Sequence, residues 1–261
     1  MRRGFRRVAV ALAFVATGVL AGYVGLRAGR AFERNHLCCD LPRGHNLRVS
    51  LREALGLLRY PSQIGQDRWV AEKVFPHVDQ GFFVDVGSGD GVDDSNTWAL
   101  EQRGWTGICI DPFPANMEGR RCRLFTDVVS SAPGQTVTFA EAGDLGGIVE
   151  HLGRWKEETR HAGTLHLTTT TLDAILRRAA APAYIHFMSL DIEGAELEAL
   201  KAFPFDRHTV GALAIEHNYE EPKRSGIEQL LASRGYVRVR TWMQDDFYLA
   251  ESHAQDGRAQ D

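Results

Sequence analysis

The chain has 261 residues, of which 44% are hydrophobic and 25% charged, a composition typical of globular proteins with one sizeable core. Its net charge of −4 is uneven, because residues 1–34 hold seven arginines and one glutamate (+6), which leaves −10 for the remainder. An acidic body argues against nucleic acid as a partner, since the phosphate backbone is bound by clustered Lys and Arg. Four cysteines in this length do not indicate a disulfide scaffold.

Residues 1–34 predict a membrane anchor. Four arginines lie within residues 1–7, and residues 8–26 contain no charged side chain. At about 1.5 Å per residue, a helix over 8–26 just spans a bilayer core of about 30 Å. We therefore expect a single-pass transmembrane helix, with a cleaved secretory signal as the alternative. Arginines flank the segment on both sides, so the positive-inside rule barely decides its orientation.

The remaining chain divides into three predicted parts. Residues 35–60 indicate a juxtamembrane linker and an amphipathic helix, residues 61–250 a catalytic domain, and residues 251–261 a polar, disordered tail. Early in the domain, apolar residues at helical spacing predict a lid helix before the first strand. Gln63 and Gln66 belong to this segment, either as cofactor contacts or as capping and solvent-exposed side chains.

A glycine-rich loop is the strongest local signal. The apolar run Phe82–Val86 is followed by Gly87, Gly89 and Gly91, with Ser88 between the first two glycines. This pattern predicts a strand, a tight turn and a helix N-terminus, which in a parallel α/β sheet adjoin the ligand crevice. Glycine accepts positive φ and lets a ligand approach the backbone. The alternative is a glycine-rich turn that binds nothing.

Two details distinguish the ligands that such a loop could bind. The dinucleotide fingerprint requires a glycine at position 92, which is Val92, so the spacing argues against an NAD-linked or nucleotide-sugar enzyme. Asp85 lies two residues before Gly87, where a carboxylate repels pyrophosphate and attracts an ammonium or sulfonium group. S-adenosyl-L-methionine carries both cations, and we predict it as the cofactor.

The next strands place further acids near this loop. Residues 105–111 predict a second strand that ends on Asp111, an acid about 20 residues past the glycines and so positioned to bind a ribose diol. Cys109 within it is interpreted as a small core residue. Residues 122–129 predict a third strand with Asp127 near its end, as a cofactor contact or a turn residue. An extra strand near residues 137–139 precedes a loop over the pocket, residues 143–163, of the kind that selects substrates.

Two later strands end on polar clusters. Residues 184–190 predict a strand followed by Asp191 and Glu193, and residues 210–215 predict one followed by Glu216 and His217. A helix over 227–235 and an antiparallel hairpin complete the domain.

The four side chains that follow these strands suit proton uptake during methyl transfer to a hydroxyl. We predict Asp191 or His217 as the base, because imidazole titrates near neutrality, with Asp191 alternatively holding the acceptor. Glu193 and Glu216 complete the catalytic set. The same cluster could bind Mg²⁺ or Mn²⁺. We rank that role lower, because strand-end acids more often bind ligands or cap helices, and we assign no metal ligand.

Four segments in order resemble the FkbM family of S-adenosylmethionine-dependent class I methyltransferases. They are Ser-Gln-Ile-Gly-Gln-Asp at 62–67, Asp-Val-Gly-Ser-Gly-Asp-Gly at 85–91, Ser-Leu-Asp-Ile-Glu-Gly-Ala-Glu at 189–196 and Ile-Glu-His-Asn at 215–218. The resemblance covers about residues 60–250. It implies a doubly wound, Rossmann-like α/β sheet, mostly parallel with a C-terminal antiparallel hairpin, and it places Asp127 beside the adenine ring.

The family resemblance also implies an activity, the O-methylation of a hydroxyl on a sugar, glycan, lipid-linked or secondary-metabolite acceptor. Because this cofactor is made and kept in the cytosol, we expect the catalytic domain on the cytosolic side of the membrane. The alternative function is a catalytically inactive, membrane-tethered interaction module, against which the intact Asp85, glycines and Asp111 argue. The oligomeric state is left open by the sequence.

Overall fold

A seven-stranded sheet organises the part of the chain that a computed structural model describes, namely Leu55 and residues 59–253. The strands in chain order are β1 (Phe82–Val86), β2 (Thr106–Ile110), β3 (Arg123–Phe125), β4 (Val128–Val129), β5 (Thr136–Glu141), β6 (Gly147–Ile148), β7 (Gly163–Thr170), β8 (Tyr184–Leu190), β9 (Thr209–Glu216), β10 (Tyr236–Trp242) and β11 (Asp245–Ala250). The large sheet has the order β10-β11-β9-β8-β1-β2-β3. The predicted mixed α/β fold with one large sheet is confirmed.

Six of these seven strands run in the same direction, and β11 opposes them. The predicted closing hairpin is the antiparallel pair of β10 and β11, in which β11 also pairs with β9. The central strands carry apolar side chains on both faces of the sheet and are buried on both. In β8 and β9, for example, the buried side chains include Phe187, Met188 and Leu213.

The topological switch point of the sheet lies at β1. This strand pairs in parallel with β2 on one side and with β8 on the other, so the sheet extends from β1 in both directions. The loops that follow β1 and β8 therefore emerge side by side. The backbone N–H of Asp191 donates to the carbonyl of Val86 at 2.9 Å. Such a reversal opens a crevice at the carboxyl ends of the strands.

The predicted third strand, residues 122–129, is divided between two sheets. β3 pairs with β2 in the large sheet, whereas β4 pairs with β7 in a four-stranded sheet of order β4-β7-β5-β6. Thr126 and Asp127 connect the two. The predicted extra strand is β5, and it pairs antiparallel with β7.

The helices are short, with one exception. They are α1 (Gln66–Trp69), which continues as a π-helical turn (Val70–Val74), α2 (Trp98–Gln102), α3 (Leu172–Ala179), α4 (Glu196–Lys201) and α5 (Glu221–Ala232), with 3₁₀ turns at Gly143–Leu145 and Gly153–Lys156. α5 begins at Glu221, six residues before the predicted start at residue 227. Pro222 lies in its first turn, where proline is tolerated. Residues 251–253 form a helical turn, and His253 packs on the rings of Phe75 and Tyr184.

The interpretation of Cys109 as an unpaired core residue is wrong. Cys109 in β2 forms a disulfide with Cys122, which lies just before β3, and their Cα atoms are 5.8 Å apart. The parallel pairing of β2 with β3 aligns Cys109 with Leu124 and so brings the two cysteines together. The bridge closes a loop that covers residues 110–121.

Among the described residues, no helix is long and apolar enough to span a membrane. The predicted transmembrane helix, residues 8–26, lies outside these residues, as do most of the predicted linker and the residues after 253.

Candidate active site

A cavity of about 810 Å³ lies at the carboxyl ends of β1, β2, β8 and β9. The residues that line it include most of the predicted site: Gln63, Gln66, Asp85, Gly87, Ser88, Gly89, Asp111, Asp127, Asp191, Glu193 and Glu216. Gly91 and His217 are the predicted site residues that do not line it. The glycine loop and the carboxylates after β8 and β9 thus face one space.

Gly87 is the point where the two sides of the cavity meet. Its backbone N–H donates to the carbonyl of Ile110 at 2.8 Å, and its φ is +82°. A Cβ at this position would overlap the backbone carbonyl oxygen of Asp191. Gly89 also has positive φ, +45°, but a Cβ there would meet no atom within 4 Å. Only the first of these glycines is therefore required by a close backbone contact.

The carboxylate of Asp111 is fixed by two backbone N–H groups. It accepts from Gly89 at 2.8 Å and from Phe113 at 2.7 Å. Burial raises its pKa, while these two hydrogen bonds act in the opposite direction. The side chain lies where the sequence predicted an acid for the ribose diol, beside the glycine loop.

Asp85 and Ser88 present polar groups from the floor of the cavity. Asp85 is 2% exposed and accepts a hydrogen bond from Thr97 Oγ1 at 2.6 Å. Burial raises the pKa of Asp85 to about 6, although Thr97 and Arg120 lower it. Ser88 Oγ is buried and has no hydrogen-bond partner in the described chain. A buried, unpaired hydroxyl that faces a cavity is suited to a bound ligand.

The segment between Asp111 and Cys122 packs on the outer side of the glycine loop. Gly91 N–H donates to Ala115 at 2.8 Å, and Ala115 N–H donates to Gly89 at 3.0 Å. A Cβ at Gly91 would lie 2.6 Å from Met117 Sδ. Gly91 thus supports the loop from behind, which explains why it does not line the cavity.

The other predicted cofactor contacts are engaged by protein groups. Arg178 Nη1 donates to both oxygens of Asp127 at 3.0 Å. Gln66 Nε2 donates to Asp245 at 2.9 Å, and the Gln63 side chain accepts from Gln244. All three predicted side chains line the cavity, but each already has a hydrogen-bond partner in the protein.

Three carboxylates form a cluster on the opposite wall. One oxygen from each of Asp191, Glu193 and Glu216 lies within 4.8 Å of the others. Asn218 Nδ2 donates to Glu193 at 3.0 Å and to Glu216 at 2.5 Å. Glu193 and Asn218 have φ values of +54° and +49°, backbone conformations that are strained for residues with a Cβ and that concentrate at functional sites.

The cluster holds fewer charges than its composition suggests. Burial, and then the charge of Asp191, raise the pKa of Glu193 to about 8 and that of Glu216 far above its ordinary value. Burial raises the pKa of Asp191 as well, and the hydrogen bond that it shares with Glu216 offsets this only in part. Like charges this close are not all retained, and Glu216, whose pKa is raised most strongly, is the member that keeps its proton.

Two buried acids support this arrangement. Glu196 Oε1 accepts from the backbone N–H groups of Ile192 and Gly194, each at 3.0 Å, and so shapes the turn that carries Glu193. Burial raises the pKa of Glu196 to about 7, and that of Asp245 to about 8.

His217 lies on the far side of its strand end. Its Nδ1 accepts from the backbone N–H of Tyr219 at 2.9 Å, and its Nε2 is 3.8 Å from Asp246 Oδ1. Burial lowers its pKa. The geometry thus favours the carboxylates over the predicted imidazole for contact with a molecule in the cavity.

A divalent cation could be held by the same three carboxylates. Asp191, Glu193 and Glu216 supply oxygen atoms, which hard cations such as Mg²⁺ prefer. Some of these oxygens are already engaged, because Asn218 Nδ2 donates to Glu193 and Glu216 and because Glu216 carries a proton.

Three residues at the cavity mouth were not predicted from the sequence. Arg154 and Trp155 come from the inserted loop, and Tyr219 follows the strand end after Asn218. A Cβ at Gly194 would overlap the carbonyl oxygen of His151, so this loop packs directly on the turn beside Glu193. The one available signal was the adjacent Arg-Trp pair in a loop predicted to cover the pocket.

Comparison with known proteins yields a family match and a likeness to solved structures. None of the curated proteins matches the chain. A solved structure assigned as an RNA methyltransferase from Pyrococcus horikoshii shares 12% identity and covers 74% of this chain and 86% of its own, at a TM-score of 0.38, a likeness too weak to support an argument. The family model for the methyltransferase FkbM domain matches residues 85–238, which is more than half of the chain. The protein therefore belongs to the FkbM methyltransferase family.

Proposed function

We propose that this methyltransferase uses S-adenosyl-L-methionine to methylate a hydroxyl group of its acceptor. The observation that carries the proposal is the contact at Gly87, which brings the glycine loop against the backbone of Asp191. A donor bound on the loop and a hydroxyl bound at the carboxylate cluster then occupy one cavity. Such positioning of two reactants supplies much of the rate enhancement in group transfer.

The residues on the cofactor side fit the proposed donor. Ser88 Oγ offers an unpaired hydroxyl, Gly89 leaves open space above the loop, and Asp111 presents a fixed carboxylate for a ribose diol. Asp85 places an acid near the loop, where it would attract the cationic end of the molecule. When bound, this cofactor supplies an electrophilic methyl group.

The carboxylate cluster supplies the proton acceptor. In the proposed role Asp191 is the ionised member, and it faces Glu216, whose pKa burial raises far above its ordinary value and which therefore holds a proton. In the proposed role, Asp191 takes the proton of the acceptor hydroxyl as the oxygen becomes nucleophilic. General base catalysis of this kind contributes about 10²- to 10⁴-fold in rate.

Asn218 and Glu193 help to hold the carboxylate cluster in the arrangement that the proposed base requires. Each has a left-handed backbone, which costs on the order of 1 kcal/mol. The Asn218 amide donates to both glutamates, so it stabilises the cluster without adding a positive charge. We assign both as positioning residues for Asp191.

The proposal is tested by calorimetric titration of the full chain with S-adenosylhomocysteine. We expect binding that Asp111→Ala weakens by about tenfold or more, equivalent to about 1.4 kcal/mol, since the variant loses the carboxylate held by Gly89 and Phe113. Asp206→Ala is the matched control, because Asp206 is exposed and does not line the cavity.

A folded wild-type protein that does not bind this compound would contradict the proposal. It would favour the alternative of an inactive methyltransferase-like interaction module. Binding followed by transfer to nitrogen or sulfur acceptors only would keep the cofactor and reject hydroxyl methylation.

A further inference from the structure

The cavity mouth carries an arginine stacked on two aromatic rings. Arg154 Cζ lies 4.4 Å from the ring centroid of Trp155 and 5.6 Å from that of Tyr219. All three side chains line the cavity, and Tyr219 is 57% exposed. The Trp155 indole lies near enough to Glu193 to lower its pKa against the larger effect of burial, although its buried Nε1 has no hydrogen-bond partner within the described residues. The mouth is thus continuous with the carboxylate cluster.

Arg154 is the exception in a strongly acidic cavity. Eleven Asp and Glu residues line the cavity, and among its described lining residues Arg154 alone is cationic. No carboxylate of the described chain forms an ion pair with its guanidinium. Glu220 accepts from the Arg154 backbone N–H at 2.6 Å and pairs with Lys223 at 2.8 Å. The charge of Arg154 is one of the smaller influences that lower the pKa of Glu220.

The N–H groups of the Arg154 guanidinium are largely available to a ligand. Its Cζ lies over two aromatic rings, and the only hydrogen bond from its side chain within the described residues is a long one, 3.5 Å, from Nη1 to the carbonyl of Asn218. A guanidinium presents five N–H donors in a planar fork that matches a carboxylate or a phosphate. The ring contacts hold this fork in place and reduce the entropy that binding would cost.

We propose that the acceptor carries an anionic group, a carboxylate or a phosphate, that binds Arg154 at the cavity mouth. The exposed ring of Tyr219 packs against its carbon skeleton, and the hydroxyl to be methylated points inward to Asp191. The ionised carboxylates elsewhere in the cavity repel the anion, so attraction and repulsion together favour one orientation. This inference rests on the proposed hydroxyl methyltransferase activity, whose acceptor class it specifies.

The test is a calorimetric titration of full-length protein saturated with S-adenosylhomocysteine. The probes are methyl glucoside, which is neutral, methyl glucuronide, which is a carboxylate, and glucose phosphate. We expect at least one anionic probe to bind about tenfold or more tightly than the neutral one, which is about 1.4 kcal/mol. The better anion identifies the acceptor as a hydroxylated acid or a phosphorylated compound.

Variants link this preference to the guanidinium. Arg154→Gln should remove the preference for the anionic probe and leave binding of methyl glucoside and of S-adenosylhomocysteine unchanged, and Arg154→Lys should retain part of it. Arg160→Gln is the matched control, because Arg160 is an exposed arginine of the same loop that does not line the cavity.

Anionic probes that bind no more tightly than the neutral probe, or not at all, would overturn the inference. Equal losses in the Arg154→Gln and Arg160→Gln variants would do the same, since they would indicate a general effect of charge. Failure of the wild-type protein to bind S-adenosylhomocysteine is a separate result, which refutes the proposed function itself.

Discussion

The cofactor side and the acceptor side of the cavity are built from different parts of the chain. The cofactor side consists of residues 85–91 and Asp111, two short segments held by backbone hydrogen bonds. The acceptor side combines the turns after β8 and β9 with the inserted loop. The first side depends on glycine geometry and the second on buried side-chain charge, so each is sensitive to a different kind of change.

The largest effect is expected where the two sides touch. Gly87→Ala should abolish binding of S-adenosylhomocysteine and lower the free energy of unfolding by more than about 2 kcal/mol, since the left-handed conformation alone costs an alanine about 1–2 kcal/mol. In addition, the new Cβ would overlap the carbonyl oxygen of Asp191. Urea unfolding and calorimetry measure the two effects.

Gly89→Ala is the matched control for this variant. It imposes the same left-handed strain but meets no protein atom within 4 Å, so we expect a loss of only about 1 kcal/mol in stability. Equal destabilisation by the two variants would show that the close approach of Gly87 to the Asp191 carbonyl does not contribute to the loss of stability.

The next largest effect should be confined to the acceptor side. Asp191→Asn removes the proposed base, and we expect the single-turnover rate of methyl transfer to fall about 10²-fold or more with cofactor binding retained. His217→Gln should change the rate much less, because its imidazole lies outside the cavity lining. The opposite ranking of the two variants would restore His217 as the base.

A smaller effect is expected in the pH dependence of stability, to which buried acids on both sides of the cavity contribute. Burial raises the pKa of Asp85 to about 6, that of Glu196 to about 7 and that of Asp245 to about 8. These acids bind protons more tightly in the folded than in the unfolded chain. The stability they contribute is therefore complete below their ordinary pKa values near 4 and is lost as the pH rises through about 6 to 8.

Urea unfolding of the ligand-free protein across this range should thus show stability falling with rising pH. Asp245→Asn should flatten the decline at its alkaline end, since it removes a group of the acceptor side that titrates there. A curve that rises across the range, or one unchanged by the variant, would be inconsistent with a neutral Asp245 carboxyl in the folded state.

The smallest effect is expected from metal removal. If Asp191 acts by proton uptake, treatment with a chelator should leave the methyl-transfer rate unchanged, and added Mg²⁺ or Mn²⁺ should not raise it. A rate lost on chelation and restored by Mg²⁺ would reassign Asp191, Glu193 and Glu216 as metal ligands.

Much of the cofactor side was predictable because its signals are local. The glycine spacing, the preceding Asp85 and the strand-end Asp111 all follow from short patterns in one segment of chain. The strand boundaries of β8 and the closing hairpin followed from apolar runs in the same way. Backbone-built sites leave such signatures, since only particular residues permit the required turns.

The acceptor side was predicted only in part, because its members meet through tertiary packing. Asp191, Glu193 and Glu216 were identified at strand ends, but the direction of His217 depends on which face of the turn it occupies. Arg154 reaches the mouth through contacts of an irregular loop. Cys109 was misinterpreted because its partner lies 13 residues away across a loop that has no regular pattern.

The Cys109–Cys122 bridge makes the cellular compartment of the domain measurable by chemical labelling. Disulfides persist in the periplasm and outside the cell but are reduced in the cytosol of most organisms. Cells lysed in a thiol-alkylating reagent would yield this pair of cysteines alkylated if the domain had faced the cytosol, and protected if it had been exported. An exported enzyme would in turn require a route that carries its methyl donor across the membrane.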